Sequence, residues 1–222
     1  MDIQRIFIRW QVSSLKKISV VGLGPGNIGY ITKAGIDCIN QCEIAIGGKR
    51  QLEEIDSLLS KDCERYTLGK LIEVIDYIKN HRDKEICVIV SGDTGFYSLL
   101  PFLRKHFARE EMNVIPGISS FQYLFSRLAE PWHPYTPMSV HGREMDYLKA
   151  LKDSQGVILL TDEKNTPYTI AKEIYNHGFK DIEIIVGERL SYEDEEITIV
   201  DVEDFEKLNR DFKMNITIAR KK

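Results

Sequence analysis

The sequence predicts an α/β protein with two α/β domains. From residue 17 onward, short runs of β-branched and apolar residues alternate with segments of helical character. A proline-rich segment, "EPWHPYTP" at 130–137, interrupts this alternation. The 222 residues are enough for two small α/β domains or one large one. Alternating strands and helices are typical of a mainly parallel sheet.

In the first part of the chain, strands are predicted at "KISVVGL", "CEIAIG", "EICVIV" and "MNVIPG". Helices are predicted over 30–41, 49–59 and 118–128, and near 70–80 and 97–107. These elements define a predicted N-terminal domain over 17–130. Residues 1–16 precede it as an extension with no assigned role.

The segment 130–137 contains three prolines, which fit poorly in a helix or a central strand. The domain boundary is therefore predicted there. Beyond it, "TPMSVHG", "GVILLTD", "IEIIVGE", "EITIVDV" and "MNITIAR" are predicted strands, with helices near 144–152 and 166–177. Together they predict a C-terminal domain over 136–222.

The composition is that of an ordinary globular enzyme, with 43% apolar and 29% charged residues. A net charge of -4 gives the chain no general attraction to nucleic acid. No apolar run approaches the roughly 18 residues of a transmembrane helix. We therefore expect a cytoplasmic protein without a nucleic-acid or membrane partner.

The four cysteines contain no CxxC pair. Cys38 and Cys42 are one helical turn apart, but no histidine or second cysteine pair completes a set of metal ligands. The favoured interpretation is two small residues on a buried helix face, so no metal site is predicted.

The glycine-rich stretch "VGLGPGNIGY" follows the first predicted strand. A dinucleotide-binding fingerprint fails because its third glycine position holds Asn27, and a Walker A loop fails because Tyr30 and Ile31 follow Gly29. Pro25 also lacks the N–H group with which such loops hold phosphate. The stretch is either a plain strand-to-helix turn or a bare turn where a ligand approaches the backbone.

Two further loops share this arrangement. "VSGDTGFYSLL" contains Asp93 and "VIPGISSFQ" contains Ser119 and Ser120, and each loop follows a predicted strand and opens a helix. Each of these side chains can simply cap a helix. Three glycine-bearing loops at the carboxyl edge of one parallel sheet nevertheless predict a ligand site.

The motifs "VGLGPG", "SGDTGFYS" and "IPGISS", in this order and spacing, resemble those of the tetrapyrrole methylases. These are two-domain methyltransferases that use S-adenosylmethionine (SAM) on porphyrin and corrin precursors. The resemblance covers 17 to about 219, with Thr94 at a position where the family often has proline. "IGGKRQLEE" and "SVHGRE" are most similar to the group in this family that methylates cobalt-precorrin-7 at C5 in cobalamin biosynthesis.

The resemblance implies the tetrapyrrole methylase fold, with a SAM-binding cleft between the two domains. SAM carries no phosphate, which suits a loop containing Pro25, and its product is S-adenosylhomocysteine. The residues implied in SAM binding lie in four segments of the chain: Gly24, Pro25 and Gly26; Gly92, Asp93, Gly95 and Phe96; Ser119 and Ser120; Thr161, Gly187 and Glu188.

The acceptor implied by the resemblance is a small-molecule corrinoid with several carboxylates, which require cations near the cleft. Lys49 and Arg50 are candidates for substrate binding, although a solvated first helical turn explains them equally well. Arg143 is predicted to bind substrate and to belong to the catalytic site. His141 is a candidate general base, or a group that positions substrate by hydrogen bonding.

Three classes of function remain open. The first is a corrinoid C-methyltransferase, including one that acts on another carbon or on a metal-free precorrin. The second is a protein methyltransferase like those of diphthamide synthesis, and the third is a non-catalytic or nucleotide-binding α/β protein.

The resemblance also implies a homodimer and a separate decarboxylating C15-methyltransferase. The helix "FQYLFSRL" supplies either a core face, which is favoured, or a subunit contact.

Overall fold

The computed structural model describes residues 16–222, and it contains two five-stranded sheets that follow one another along the chain. The predicted extension, apart from its last residue, lies outside the described residues. The predicted fold class is confirmed, since helices and strands build two layered α/β units. The two sheets meet along one helix of the first unit.

The first sheet is parallel throughout, with the order β3-β2-β4-β1-β5. Its strands are β1 (Ile18–Gly22), β2 (Ile44–Gly47), β3 (Glu64–Thr67), β4 (Ile86–Val90) and β5 (Met112–Ile115). Its helices are α1 (Lys33–Gln41), α2 (Lys49–Glu54), α3 (Leu71–Asn80), α4 (Leu100–Leu103) and α5 (Ser120–Leu128). The order places the carboxyl ends of β1, β4 and β5 side by side.

Both faces of this sheet are covered, which explains why its strands are continuous apolar runs. Every residue of β1, β2 and β4 is buried. Val20 and Val88 pack on the side of α3, and Val21 and Ile89 pack on the side of α1. The alternation of side chains along each strand thus supplies two hydrophobic layers.

The second sheet is mixed, with the order β6-β7-β10-β8-β9. Its strands are β6 (Thr136–Ser139), β7 (Gly156–Leu160), β8 (Ile182–Glu188), β9 (Glu196–Asp201) and β10 (Asn215–Lys221), and its helices are α6 (Tyr147–Asp153) and α7 (Pro167–Asn176). β6 and β7 are parallel, whereas β10 is antiparallel to both β7 and β8, and β9 is antiparallel to β8.

Helix α5 belongs to the first unit by sequence, yet its apolar face packs against the second sheet. Phe121, Leu124 and Phe125 are buried in one cluster with Ile158 and Ile216. A Cβ atom on Gly187 of β8 would lie 3.1 Å from the Leu124 side chain. The core interpretation of this helix is therefore confirmed, and the core it serves is the contact between the two units.

Three predicted helices differ from the structure, and one strand was not predicted. The helix predicted over 49–59 ends at Glu54 and is followed by a 3-10 turn, Asp56–Leu58. The helix predicted over 30–41 begins at Lys33, because the Thr32 hydroxyl caps it after a short 3-10 turn. The helix predicted near 97–107 is reduced to α4, preceded by Tyr97 in a left-handed conformation with φ 49°. Strand β3 was not predicted.

Candidate active site

Three loops meet backbone to backbone at the carboxyl edge of the first sheet, at Gly22, Gly92 and Gly117. A Cβ atom on Gly117 would lie 2.2 Å from the Gly92 carbonyl oxygen and 2.8 Å from the Gly22 carbonyl oxygen. A Cβ atom on Gly22 would lie 2.6 Å from that same Gly92 oxygen. No side chain fits at Gly22 or Gly117, so glycine is required after β1 and β5, whereas Gly92 after β4 is favoured by its positive φ of 63°.

Hydrogen bonds fix the loops further. Gly24 and Gly92 form an antiparallel bridge, in which the Gly92 N–H donates to the Gly24 carbonyl at 2.9 Å and the Gly24 N–H donates to the Gly92 carbonyl at 3.2 Å. Both glycines have positive φ angles, 83° and 63°. The Asp93 carboxylate accepts from the N–H groups of Gly95 at 2.8 Å and Gly117 at 3.1 Å. Asp93 therefore holds the second loop to the third.

A cleft with a volume of about 340 Å³ opens over these loops, within the range of small-molecule sites. Its walls come from both units, and they combine glycine backbone, aromatic and aliphatic side chains, and a few polar groups. The lining residues are Leu23, Gly24, Pro25, Gly26, Arg50, Glu54, Ser91, Gly92, Asp93, Phe96, Tyr97, Ser119, Ser120, Ser139, His141, Arg143, Leu160, Thr161, Gly187, Leu190, Met214, Asn215 and Ile216.

At one end of the cleft, Tyr192 of the second unit lies against the glycine loop of the first. A Cβ atom on Gly26 would lie 2.4 Å from the Tyr192 ring, so glycine admits the ring. The Tyr192 hydroxyl accepts from Arg50 at 2.8 Å and donates to Glu54, and Arg50 also pairs with Glu54 at 2.7 Å. Burial, and then the bond to Glu54, raise the pKa of Tyr192. Its hydroxyl therefore remains a donor in this link between the units.

The opposite wall is the loop after β6, which the Asp162 carboxylate holds in place. That carboxylate accepts from the N–H groups of Gly142, Lys164 and Asn165. The bonds from Asn165 and Gly142 lower the pKa of Asp162 to about 2. His141 extends from this loop, with Nδ1 3.1 Å from the Thr161 carbonyl oxygen.

That carbonyl can only accept, so Nδ1 of His141 carries the proton when the ring is neutral. Nε2 is then the nitrogen with a free lone pair. Because His141 lines the cleft, this tautomer provides a proton acceptor beside any bound ligand.

Arg143 and Tyr97 face each other across the cleft. The Arg143 guanidinium lies 4.8 Å from the centre of the Tyr97 ring, within the range of a cation–π interaction. Tyr97 also packs edge-on against Phe96, and Phe96 against Phe121 of α5. The Arg143 guanidinium of the second unit thus contacts a series of aromatic side chains in the first unit.

The structure brings most of the predicted site residues together. Gly24, Pro25, Gly26, Arg50, Gly92, Asp93, Phe96, Ser119, Ser120, His141, Arg143, Thr161 and Gly187 all line the cleft. Besides the bonds of Asp93 and Arg50 described above, the Ser119 hydroxyl caps α5, and the Thr161 hydroxyl donates to the Asn215 carbonyl at 3.0 Å.

Three predicted site residues, Lys49, Gly95 and Glu188, lie outside this lining. Lys49 points to solvent with 83% of its side chain exposed, beside Glu53, because it occupies the outer face of α2. Gly95 serves the loop by donating its N–H to Asp93. The Glu188 carboxylate turns away from the cleft to bind Arg210 at 2.9 Å and the Lys213 N–H.

Sequence reasoning missed Glu54, Tyr97 and Tyr192. Tyr97 stood inside the recognised "SGDTGFYS" motif, so its position next to Phe96 was an available signal. Tyr192 lies in an acidic loop far along the chain and reaches the glycine loop only through the tertiary fold. No spacing rule in the sequence connects it to Arg50.

The fold and the cleft are typical of a two-domain α/β enzyme with a small-molecule site between its units. Among residues 16–222, no three His, Cys, Asp or Glu side chains are arranged to hold a metal ion. Nor does this part of the chain contain a helix long and apolar enough to cross a membrane.

The chain belongs to the tetrapyrrole (corrin/porphyrin) methylases, whose family model matches residues 17–206. It is 33% identical over 202 residues to a cobalt-precorrin-7 C(5)-methyltransferase of Salmonella typhimurium, a match that covers 90% of this chain and 97% of the relative. The family resemblance of the sequence motifs is thereby confirmed.

Solved structures show the same fold. A precorrin-6Y methylase of Archaeoglobus fulgidus matches with a TM-score of 0.70 at 21% identity, over 93% of this chain and 98% of that one. A uroporphyrin-III C-methyltransferase of Thermus thermophilus, solved in complex with S-adenosylhomocysteine, matches with a TM-score of 0.75 at 18% identity and covers 92% of both chains. The two-domain architecture is common to all three.

Proposed function

We propose that this protein transfers a methyl group from SAM to C5 of a cobalt-precorrin, with cobalt-precorrin-7 as the substrate. The observation that carries the proposal is the cleft itself, in which the three glycine loops face the loop of His141 and Arg143 across one continuous space. A relative of nearly equal length with that named activity supports the choice of substrate.

The lining of the cleft fits SAM. Leu23, Leu160, Leu190 and Ile216 offer apolar surface to an adenosyl group, and the bare backbone at Gly24 allows close approach. The Asp93 carboxylate places a negative charge beside the glycine loops, where it favours a sulfonium cation. When bound, SAM supplies an electrophilic methyl group, so the protein's main task is to orient the two reactants.

On the acceptor side, Arg143 is the proposed anchor for a macrocycle carboxylate. Its guanidinium rests on Tyr97 and can form two parallel hydrogen bonds to such a group. Arg50 is less suited to this role, because its charge is already balanced by Glu54. Since Nδ1 of His141 is engaged by the Thr161 carbonyl, Nε2 accepts the proton that the methylated carbon skeleton loses, or holds the substrate by a hydrogen bond.

The test supplies purified enzyme with SAM carrying a labelled methyl group and, in separate reactions, with cobalt-precorrin-7 or its metal-free counterpart. We expect one labelled methyl group per molecule of the cobalt substrate, located at C5 by NMR. Label at another carbon, or a preference for the metal-free compound, would assign a different tetrapyrrole methylation. Label that appears only on protein would instead indicate a protein methyltransferase of the diphthamide-synthesis type.

We further propose domain limits of 17–130 and 136–222, a homodimeric enzyme, a cytoplasmic location and a functional pairing with a separate decarboxylating C15-methyltransferase. The last is supported by a relative from Sinorhizobium named for both methylations, of which this chain covers 44%. Light scattering at micromolar concentration tests the dimer, and a purely monomeric mass would contradict it.

A further inference from the structure

A second cavity lies at the opposite, amino-terminal edge of the first sheet. It has a volume of about 220 Å³ and is lined by residues at the starts of β1, β4 and β5 and at the end of α1. Since the ligand cleft occupies the carboxyl edge, the sheet itself separates the two sites.

Two of the four cysteines line this cavity, and the other two lie next to them. Cys38 and Cys42 line it, and the thiol of Cys87 on β4 lies within hydrogen-bonding reach of both. The Cys42 and Cys63 sulfurs are only 3.6 Å apart. The fold thus gathers four thiols from three segments of the chain.

The pKa values of these thiols favour oxidation of a cysteine at the cavity. The hydrogen bond from the Cys87 thiol lowers the pKa of Cys38 to about 6, and the same donor lowers the pKa of Cys42. Burial raises the pKa of Cys63 to about 12, so it remains a thiol. Cys42 is buried, but it lines the cavity and its sulfur lies beside that of Cys63. A cysteine of lowered pKa next to a second cysteine is the arrangement in which oxidation leads to a disulfide.

We propose that this cavity is a peroxide-sensitive site, in which Cys42 is oxidised and is then captured by Cys63 as a reversible disulfide. In the first step the Cys42 sulfur attacks a peroxide oxygen, the O–O bond breaks, and a sulfenic acid and water form. In the second step the Cys63 sulfur attacks the sulfenic sulfur and a second water leaves. Two thiols are oxidised by two electrons, and one peroxide is reduced to two waters.

The geometry requires only a small adjustment. The two sulfurs must close from 3.6 Å to the roughly 2.05 Å of a disulfide. Cys42 lies at the end of α1, and Cys63 lies in the turn before the edge strand β3, so neither is inside a regular element. The cavity itself holds far more than the roughly 30 Å³ that one small molecule of the size of water occupies.

The experiment exposes the folded full-length protein to hydrogen peroxide, blocks the remaining thiols with an alkylating agent in denaturant, and maps tryptic peptides without reduction. Cys38 and Cys42 share the peptide 34–49, Cys63 lies in 62–65 and Cys87 lies in 85–104. We expect 34–49 and 62–65 to appear as one linked species that dithiothreitol separates. Two of the four thiols should be lost.

Two variants assign the bond. Cys38→Ser should still form the linked species, because Cys42 supplies the sulfur, and Cys63→Ser should abolish it. A bond within 34–49, a link to 85–104, or irreversible oxidation without any link would overturn the proposal. A thermal shift with SAM on the oxidised protein verifies that it remains folded, and we expect that shift to be unchanged because the cleft is at the other edge of the sheet.

Discussion

Replacing Gly117 by alanine tests whether backbone contact between the three loops builds the cleft. The added Cβ atom would lie 2.2 Å from the Gly92 carbonyl oxygen, whereas ordinary contact begins at 3.4 Å. One loop must therefore move by about 1 Å, since both partners are backbone and no side chain can rotate away. Gly117 also donates to Asp93, so this movement weakens a bond to a charged group.

The size of the effect follows from these two losses. Overpacking of this kind costs about 1–3 kcal/mol. For a chain of this length we expect the melting temperature to fall by about 5 °C. Weakening the bond to Asp93, worth about 1.5 kcal/mol or more, should reduce SAM affinity at least about tenfold, because Asp93 and Gly92 both line the cleft.

Calorimetric titration with SAM and thermal unfolding measure the two effects. Gly69→Ala is the matched control, because a Cβ atom at Gly69 meets nothing within 4 Å and its backbone angle is ordinary. The reasoning is refuted if Gly117→Ala matches Gly69→Ala in both melting temperature and SAM affinity. A lower melting temperature with unchanged SAM affinity would show that the contact is structural only.

Three further predictions concern the walls of the cleft. Arg143→Ala should raise the KM for the acceptor about 30-fold, equivalent to about 2 kcal/mol, with SAM affinity unchanged. Arg143→Lys should recover only part of the lost acceptor affinity. An equal rise in KM for Tyr97→Ala would instead attribute the change to the stacking of Arg143 on Tyr97. Tyr192→Phe keeps the ring but removes the hydroxyl, and should lower the free energy of unfolding by about 1–2 kcal/mol in urea titrations, whereas a cost near zero would discount this link between the units. The depressed pKa of Asp162 means that its carboxylate stabilises the fold above its ordinary value of 3.8 and that this contribution disappears as the pH falls toward 2. The free energy of unfolding of Asp162→Asn should therefore fall less than that of the wild type between pH 3.8 and pH 2. The same dependence on pH in both proteins would contradict this role of the Asp162 carboxylate.

Much of the secondary structure of the first unit was predictable, because the residue pattern of each central strand agrees with its burial in the fold. β1, β2 and β4 are buried on both faces, so their sequences are uninterrupted apolar runs. β3 has the sequence "ERYT" and an exposed or half-buried pattern, since it is an edge strand. Its strand character comes from pairing with β2, which no local pattern reveals.

The position of the candidate cleft was predictable from the sequence, but the hydrogen bonds of its side chains were not. Glycine loops after three parallel strands indicate a ligand edge, and the family motifs indicate its ligand. The roles of Arg50 and Glu188 depend on partners that are distant in sequence, Tyr192 and Arg210. The same is true of the cysteines: Cys42 and Cys63 are 21 positions apart, and only the fold brings their sulfurs together.

The placement of α5 has a consequence for how the polypeptide is made. Its buried face, with Phe121, Leu124 and Phe125, is synthesised before any strand of the second sheet that covers it. Until β7, β8 and β10 have emerged from the ribosome, the apolar face of α5 is exposed on the first unit. Exposed apolar surface of this kind is a recognised substrate for chaperones. A gene divided at the proline-rich segment should therefore yield fragments that aggregate when produced singly and that recover a working cleft only when co-expressed.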